Sequence, residues 1–199
     1  MGRFAADRDQ MPQLLVTPLA ECRWFKLLGD ARENKFDPSK PPSWSVDLLL
    51  DNENKVHMAW IEEMEARYKD FHGETKKSNN WFPAKPDPES PRSRTVVSFK
   101  LPQWTRKDGT KSEGPSVFDS GRNPWDAKRL VGNGSKVIIG FDVYAWPSRG
   151  TGAGMSFQPR QAQVVELIEY VSEEKKAACV FEPVPGGFVD DSCVFNAAD

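Results

Sequence analysis

The sequence predicts a mainly β fold: a small five-stranded barrel with one inserted α-helix and an extended C-terminal tail. Three observations predict it. Alternation of apolar and polar residues recurs in five or six separate stretches, the signature of half-buried strands. Only one stretch repeats its apolar residues at helical spacing. Aromatic residues make up 11% of the chain against a hydrophobic total of 38%, a ratio that suits a small β core with rings left over for the surface. At 199 residues the chain forms one domain with extensions, or at most two small ones, and is long enough to bury a core without disulfides or metal.

Residues 1–12 carry no periodicity and read as a loose N-terminus. Residues 21–28 form the first strand candidate, where Cys22, Trp24, Lys26 and Leu28 alternate with Arg23, Phe25 and Leu27. Residues 44–50 form the second, with the row Trp44, Val46, Leu48 and Leu50. Trp24 and Trp44 lie on rows with aliphatic residues and read as core. Asp51 or Asn52 offers an N-cap for a helix over 53–71, whose stripe is Val56, Trp60, Met64, Tyr68 and Phe71. This helix should plug one end of a barrel or sheet. Its polar face carries Glu62, Glu63 and Glu65, which argues against DNA on that side.

Residues 73–94 contain Pro83, Pro86, Pro88 and Pro91 and read as an irregular excursion. A strand over 95–104, a tight turn at Asp108-Gly109 and a return strand over 115–120 make a candidate hairpin. A glycine turn, Gly132-Asn133-Gly134-Ser135-Lys136, leads into a strand over 136–146. Its row Val137, Ile139, Phe141, Val143 and Ala145 faces a core, so Tyr144 and Trp146 point to the other face. A loop over 147–154 and a last strand over 155–167 complete the body, assigned to 13–171, with a tail over 172–199.

Several function classes are excluded as expectations. No apolar run of 18 residues spans a membrane, and the charged N-terminus lacks the apolar stretch of a secretory signal. Cys22, Cys179 and Cys193 are odd in number and far apart, and the two histidines, His57 and His72, lie elsewhere. A zinc site or disulfide framework is therefore not expected, and a reducing cytoplasm is the natural compartment. No cofactor or metal is expected. The glycine turn lacks the Gly-x-x-x-x-Gly-Lys-Ser/Thr spacing of a phosphate-binding loop, and a strand follows where a helix would be needed. Gly150, Gly152 and Gly154 also open a strand, so a dinucleotide motif fails. No nucleophile pairs with a histidine, and the chain is read as a non-enzyme.

The charge distribution and the rings point to binding. Residues 177–199 hold four acids and no base, so a net charge of −2 leaves the rest of the chain at +2. A mildly basic body with an acidic tail suits a nucleic-acid binder. Lys100, Trp104, Arg106, Lys107 and Lys111 cluster on the candidate hairpin, Lys136, Tyr144 and Trp146 on the strand after the glycine turn, and Arg149, Phe157 and Arg160 follow. The run Arg23-Trp24-Phe25-Lys26 adds another group of cations and rings. Cations interleaved with aromatics neutralise phosphates and stack bases without reading sequence.

Two segments carry a family resemblance. Trp44-Ser45-Val46-Asp47-Leu48-Leu49-Leu50 running into the capped helix, and Gly132-Asn133-Gly134-Ser135-Lys136 running into the Tyr144/Trp146 strand, resemble the single-stranded DNA-binding proteins of T-seven-like short-tailed bacteriophages. The order of elements over about residues 13–170 is similar too. The resemblance implies an oligonucleotide/oligosaccharide-binding barrel that coats and protects unpaired DNA in replication, recombination and repair, in the host cytoplasm. It implies contact with the phage DNA polymerase and helicase-primase through the C-terminal tail, and it allows a homodimer. By position, Trp146 matches the family's stacking aromatic, and Lys40 lies near a basic DNA contact. The tail, with Asp190, Asp191 and Phe195, is more sparsely acidic than the family's, and four residues follow Phe195. The rival readings are a β-domain that binds carbohydrate or a capsid, and a metal-dependent nuclease.

Overall fold

The structure is a computed structural model and describes residues 14–35, 37–147 and 150–170. Its elements are β1 (Leu15–Val16), β2 (Ala20–Lys26), β3 (Ser43–Asp51), α1 (Lys55–His72), β4 (Ala84–Pro86), β5 (Arg94–Pro102), β6 (Ser116–Phe118), β7 (Lys136–Trp146) and β8 (Gly154–Glu166). Five of these strands close on themselves in the order β2-β3-β5-β8-β7 and back to β2. All neighbours are antiparallel except β5 and β8, which run parallel where Phe99 faces Phe157. This is the five-stranded barrel of the oligonucleotide/oligosaccharide-binding fold, with α1 inserted between its second and third strands.

Alternation of side chains fills the barrel. Val46, Leu48 and Leu50 of β3, Val97, Phe99 and Leu101 of β5, and Val137, Ile139 and Phe141 of β7 are all buried. The rings of Phe99, Phe141 and Phe157 meet at centroid distances of 4.9 to 5.6 Å. Trp60 of α1 stands edge-on to Phe141 and Phe157 at 5.9 and 6.0 Å, an arrangement the ring quadrupoles favour.

The helix plugs the end of the barrel where β3 stops and β5 starts. Its N-cap is Asn54, whose side chain accepts from the N–H groups of Val56 and His57, so the expected cap at Asp51 or Asn52 is corrected by two or three residues. Asp51 instead holds the Glu53 N–H in the approach turn at 2.8 Å. The buried side is His57, Trp60, Ile61, Met64 and Tyr68, while Val56 and Phe71 are exposed. A strict four-residue repeat drifts around a helix of 3.6 residues per turn, so Val56 leaves the stripe that Met64 centres. Trp60 Nε1–H donates to the Val16 carbonyl at 3.1 Å. His57 Nδ1 accepts the Asp51 N–H at 2.9 Å, which leaves Nε2 to donate to the Leu19 carbonyl at 3.0 Å.

Two strands depart from the simple alternation. In β2 the pairs Arg23↔Asp47 and Lys26↔Ser45 leave one extra residue on the β2 side. Trp24 sits in this bulge at φ 55° and is 57% exposed, not core as its row implied. Past the bulge the parity flips, so Phe25 packs against the core and Leu27 is buried. The second departure concerns the expected hairpin. The Asp108-Gly109 turn forms, with the Gly109 N–H donating to the Arg106 carbonyl at 3.0 Å, but β6 does not return to β5. It pairs in parallel with β8, from Ser116↔Gln161 to Phe118↔Gln163. Both edges of β5 are already taken, one by β3 and the other by β4 and β8.

The glycine turn ties β7 to β2. The Gly134 N–H donates to the Cys22 carbonyl at 2.9 Å, and the Cys22 N–H donates to the Ser135 carbonyl at 2.8 Å. Ser135, fully buried, donates its hydroxyl to the Gly132 carbonyl at 2.8 Å and accepts the Ile168 N–H at 2.9 Å. A Cβ on Gly132 would fall 2.8 Å from the Ile168 carbonyl oxygen, so only glycine lets the chain pass there.

Removing the plug should cost heavily. Trp60→Ala empties space against two phenylalanines and is expected to destabilise the protein by about 3–5 kcal/mol, read as a lower urea midpoint with the unfolding slope unchanged.

Candidate nucleic-acid interface

Register fixes which outward side chains share a face. Lys26 opposes Ser45, and Ser45 opposes Lys100, so two lysines flank a serine across the outer face of β2, β3 and β5. Lys26 and Lys100 are exposed and form no ion pair among the described residues. In barrels of this fold, oligonucleotides lie on the outer face of the second and third strands, between the loops after the first and fourth strands. Here that face is β3 and β5, and the loops are 27–42 and 147–153.

At the helix-free end, β5 runs into the Asp108-Gly109 turn and carries most of the expected site residues together. Trp104 is 54% exposed, and the Arg106 guanidinium lies 5.3 Å from its ring centroid. Lys107 and Lys111 are exposed beside it. The Trp104 N–H bonds the Ser112 hydroxyl at 3.1 Å, and the Ser112 N–H bonds the Trp104 carbonyl at 2.8 Å. The ring therefore stands on a fixed backbone. The Thr110 hydroxyl donates to Asp108 and holds its carboxyl below the usual range, so this acid stays ionised at the tip of a basic turn. Lys40, in the 27–42 loop at the same end, pairs with Asp37 at 3.2 Å. The Ser39 hydroxyl, then Lys40, hold the Asp37 carboxyl low.

The other expected residues are placed differently. Tyr144, 54% exposed, and Trp146 lie at the helix end of β7, away from Trp104. Trp146 is half-buried, and its indole lies over Gly154, where any Cβ would collide with it. Lys136 sits at the start of β7 and pairs with Glu166 at 2.9 Å. Arg160 pairs with Asp142 at 2.7 Å and bonds Gln158 at 3.2 Å, so its charge is already matched. Phe157 is corrected outright. It is 1% exposed inside the ring cluster, because it shares the inward parity of Met155, and no base can reach it. Arg149 and the tail residues Asp190, Asp191 and Phe195 lie outside the described residues.

An acidic strap covers half of the outer face. Arg23, on β2, pairs with Asp87 at 2.8 Å and Glu89 at 3.1 Å, both in the segment that follows β4, and Arg94 of β5 pairs with Glu21 of β2 at 3.4 Å. Asp87 is 1% exposed, and its hydrogen bond to Arg23 pulls its carboxyl below the ordinary range. The helix half of the β3/β5 face is thus closed by matched charges, while the half with Lys26, Ser45 and Lys100 stays open. The sequence shows the Arg23–Lys26 run without separating its members. Only the bulge does so, turning Arg23 to the strap and Trp24 outward. Among the described residues, no group of three His, Cys, Asp or Glu side chains could hold a metal ion.

No protein-family model matches the chain, and no curated protein matches it in sequence. Solved structures match its fold. The crystal structure of gp2.5, a single-stranded DNA-binding protein encoded by bacteriophage T7, superposes with a TM-score of 0.57 at 16% identity, covering 89% of this chain and 98% of that one. The single-stranded DNA-binding protein from bacteriophage Enc34, in complex with ssDNA, superposes with a TM-score of 0.58 at 16% identity, over 76% of this chain and 85% of that one. A further structure of the single-stranded DNA-binding protein from bacteriophage Enc34 covers 89% of this chain and 87% of its own at a TM-score of 0.55 and 17% identity. The fold expected from the sequence is the fold these proteins have.

The strap carries a pH dependence. A carboxyl whose folded pKa lies below its unfolded value of about 3.9 adds stability above that value and loses it as pH falls through the folded pKa. Asp87→Asn should therefore lower the thermal midpoint at pH 7 and flatten its fall below about pH 4, measured by thermal melts of both proteins at pH 7 and pH 3.

Proposed function

We propose that this chain is a sequence-tolerant single-stranded DNA-binding protein that coats and protects unpaired DNA during phage-type replication, recombination and repair. The observation that carries the reading is the open half of the outer face, where Lys26 of β2 and Lys100 of β5, without an ion pair among the described residues, lead to the exposed Trp104 and its basic turn. Lysines and arginines neutralise phosphates there, and exposed rings take bases, each stack adding roughly 1–3 kcal/mol. A ligand that binds only unpaired strands also draws the duplex equilibrium toward them by mass action. Lys40, Lys107 and Lys111 extend the cationic surface, and Tyr144 and Trp146 supply rings at the far end of the barrel. Lys136 and Arg160 contribute less, since each must first give up a carboxylate. The fold shared with two phage single-stranded DNA-binding proteins supports the same reading.

The finer parts of the proposal follow the family resemblance. The acidic C-terminal tail, through Asp190, Asp191 and Phe195, would engage the phage DNA polymerase and helicase-primase, a second copy of the chain could pair with the first, and the work would take place in the host cytoplasm. A carbohydrate-binding domain also uses aromatic platforms, but it has no need of a cationic surface.

The test is a fluorescent poly-dT oligomer titrated across a salt series with duplex as competitor. Single-strand affinity falls with a slope of about −0.7 per neutralised phosphate on log–log axes, so three to five contacts predict roughly −2 to −3.5. A flat response would favour the carbohydrate reading, and metal-dependent cleavage of the oligomer, stopped by a chelator, would favour a nuclease. Deleting residues 181–199 removes a charge of −4 and should tighten DNA binding by at most about tenfold, more at low salt, where screening is weaker. The same deletion should abolish co-purification with the polymerase or helicase-primase.

A further inference from the structure

Trp24 stands where a tryptophan is least at home. The left-handed residue of a β-bulge is ordinarily glycine, and a bulky side chain at positive φ is a true outlier. Here φ is 55°, yet the residue gains little burial in return, since it is 57% exposed. The strain is held from outside. Asn133 of the glycine turn accepts the Trp24 N–H through its side-chain oxygen at 2.9 Å, and the two flanking bonds between Cys22 and the turn fix the strand on which the bulge is built. Strained residues that the surroundings hold rigidly in place gather at functional sites.

Its position gives the strain a use. The bulge separates Arg23, committed to Asp87 and Glu89, from Lys26, which has no ion pair among the described residues. Trp24 therefore lies at the border between the strapped half of the face and the open half. The Lys26–Ser45–Lys100 row starts beside it, and Trp104 stands beyond the far end of β5. A strand crossing from the Trp104 turn along that row meets Trp24 at the point where the acidic strap would repel its next phosphate.

We propose that Trp24 is a stacking platform for an unpaired nucleobase at the edge of the open face. The proposal rests on the reading of the chain as a single-strand binder. Base and indole stack face to face, Lys26 neutralises the adjoining phosphate, and the Asp87–Glu89 strap turns the strand outward.

The experiment compares wild type with Trp24→Ala, Trp24→Gly and Trp24→Phe on two probes of equal length, a dT oligomer and an abasic sugar–phosphate oligomer. Loss of one stack predicts about 5- to 150-fold weaker dT binding for the alanine and glycine variants, near-wild-type binding for phenylalanine, and no change on the abasic probe. The salt slope should be the same for all four proteins, because no phosphate contact is lost. Glycine suits φ 55° better than tryptophan, so Trp24→Gly should melt no lower than wild type. Unchanged dT binding by the alanine and glycine variants overturns the proposal, as does an equal loss on both probes, which marks a structural role. Either result leaves a steep wild-type salt slope standing, whereas a wild type that binds neither probe overturns the parent reading along with this one.

Discussion

Closure of the barrel depends on one strand pairing along both edges. β7 takes β8 on one side over its whole length and β1 and β2 on the other. Its approach must be steep and tight, and the Gly132–Ser135 turn supplies this by letting the chain pass against the Ile168 carbonyl. Without that passage Ser135 could not bond both Gly132 and Ile168, and β7 could not begin where β2 needs it. The aromatic interior, the helix plug and the outer face all presuppose this seam.

Charge on the outer surface is divided rather than spread. Arg23, Arg94, Lys136 and Arg160 each meet a carboxylate, whereas Lys26, Lys100, Lys107 and Lys111 meet none among the described residues. A pair that must be broken before a phosphate can bind contributes less than a free cation, so the map of matched charges narrows the face open to a polyanion. It favours the helix-free half, where Trp24 and Trp104 are exposed rings among the described residues.

Much of this was legible in the sequence because β3 and β7 alternate cleanly. Trp44, Val46, Leu48 and Leu50 are buried as their parity requires, and Tyr144 is exposed as its opposite parity requires. The misplaced residues have specific causes. Trp24 departs from its row because one extra residue flips the parity of β2, and a bulge leaves no mark when its left-handed position holds tryptophan instead of glycine. Phe157 stands between arginines in sequence, but its own alternation with Ser156 and Gln158 points it inward. The partner of β6 was missed because parallel pairing between strands distant in sequence has no local signal. The strap was invisible for the same reason, since Arg23 and Asp87 are 64 residues apart.

The seam between β2 and the glycine turn also governs when the fold can exist during synthesis. Trp24 and Asn133 are 109 residues apart, and β8, which completes the ring, comes later still. Until then β2, β3 and β5 can form only an open sheet with an unpaired edge, the kind of surface on which nascent chains aggregate. β4, pairing with the growing edge of β5 just after α1, is positioned to shield part of it early. Topologies dominated by such distant pairings fold slowly, so a cell making this protein in quantity has to tolerate a window in which the first strands wait for the last.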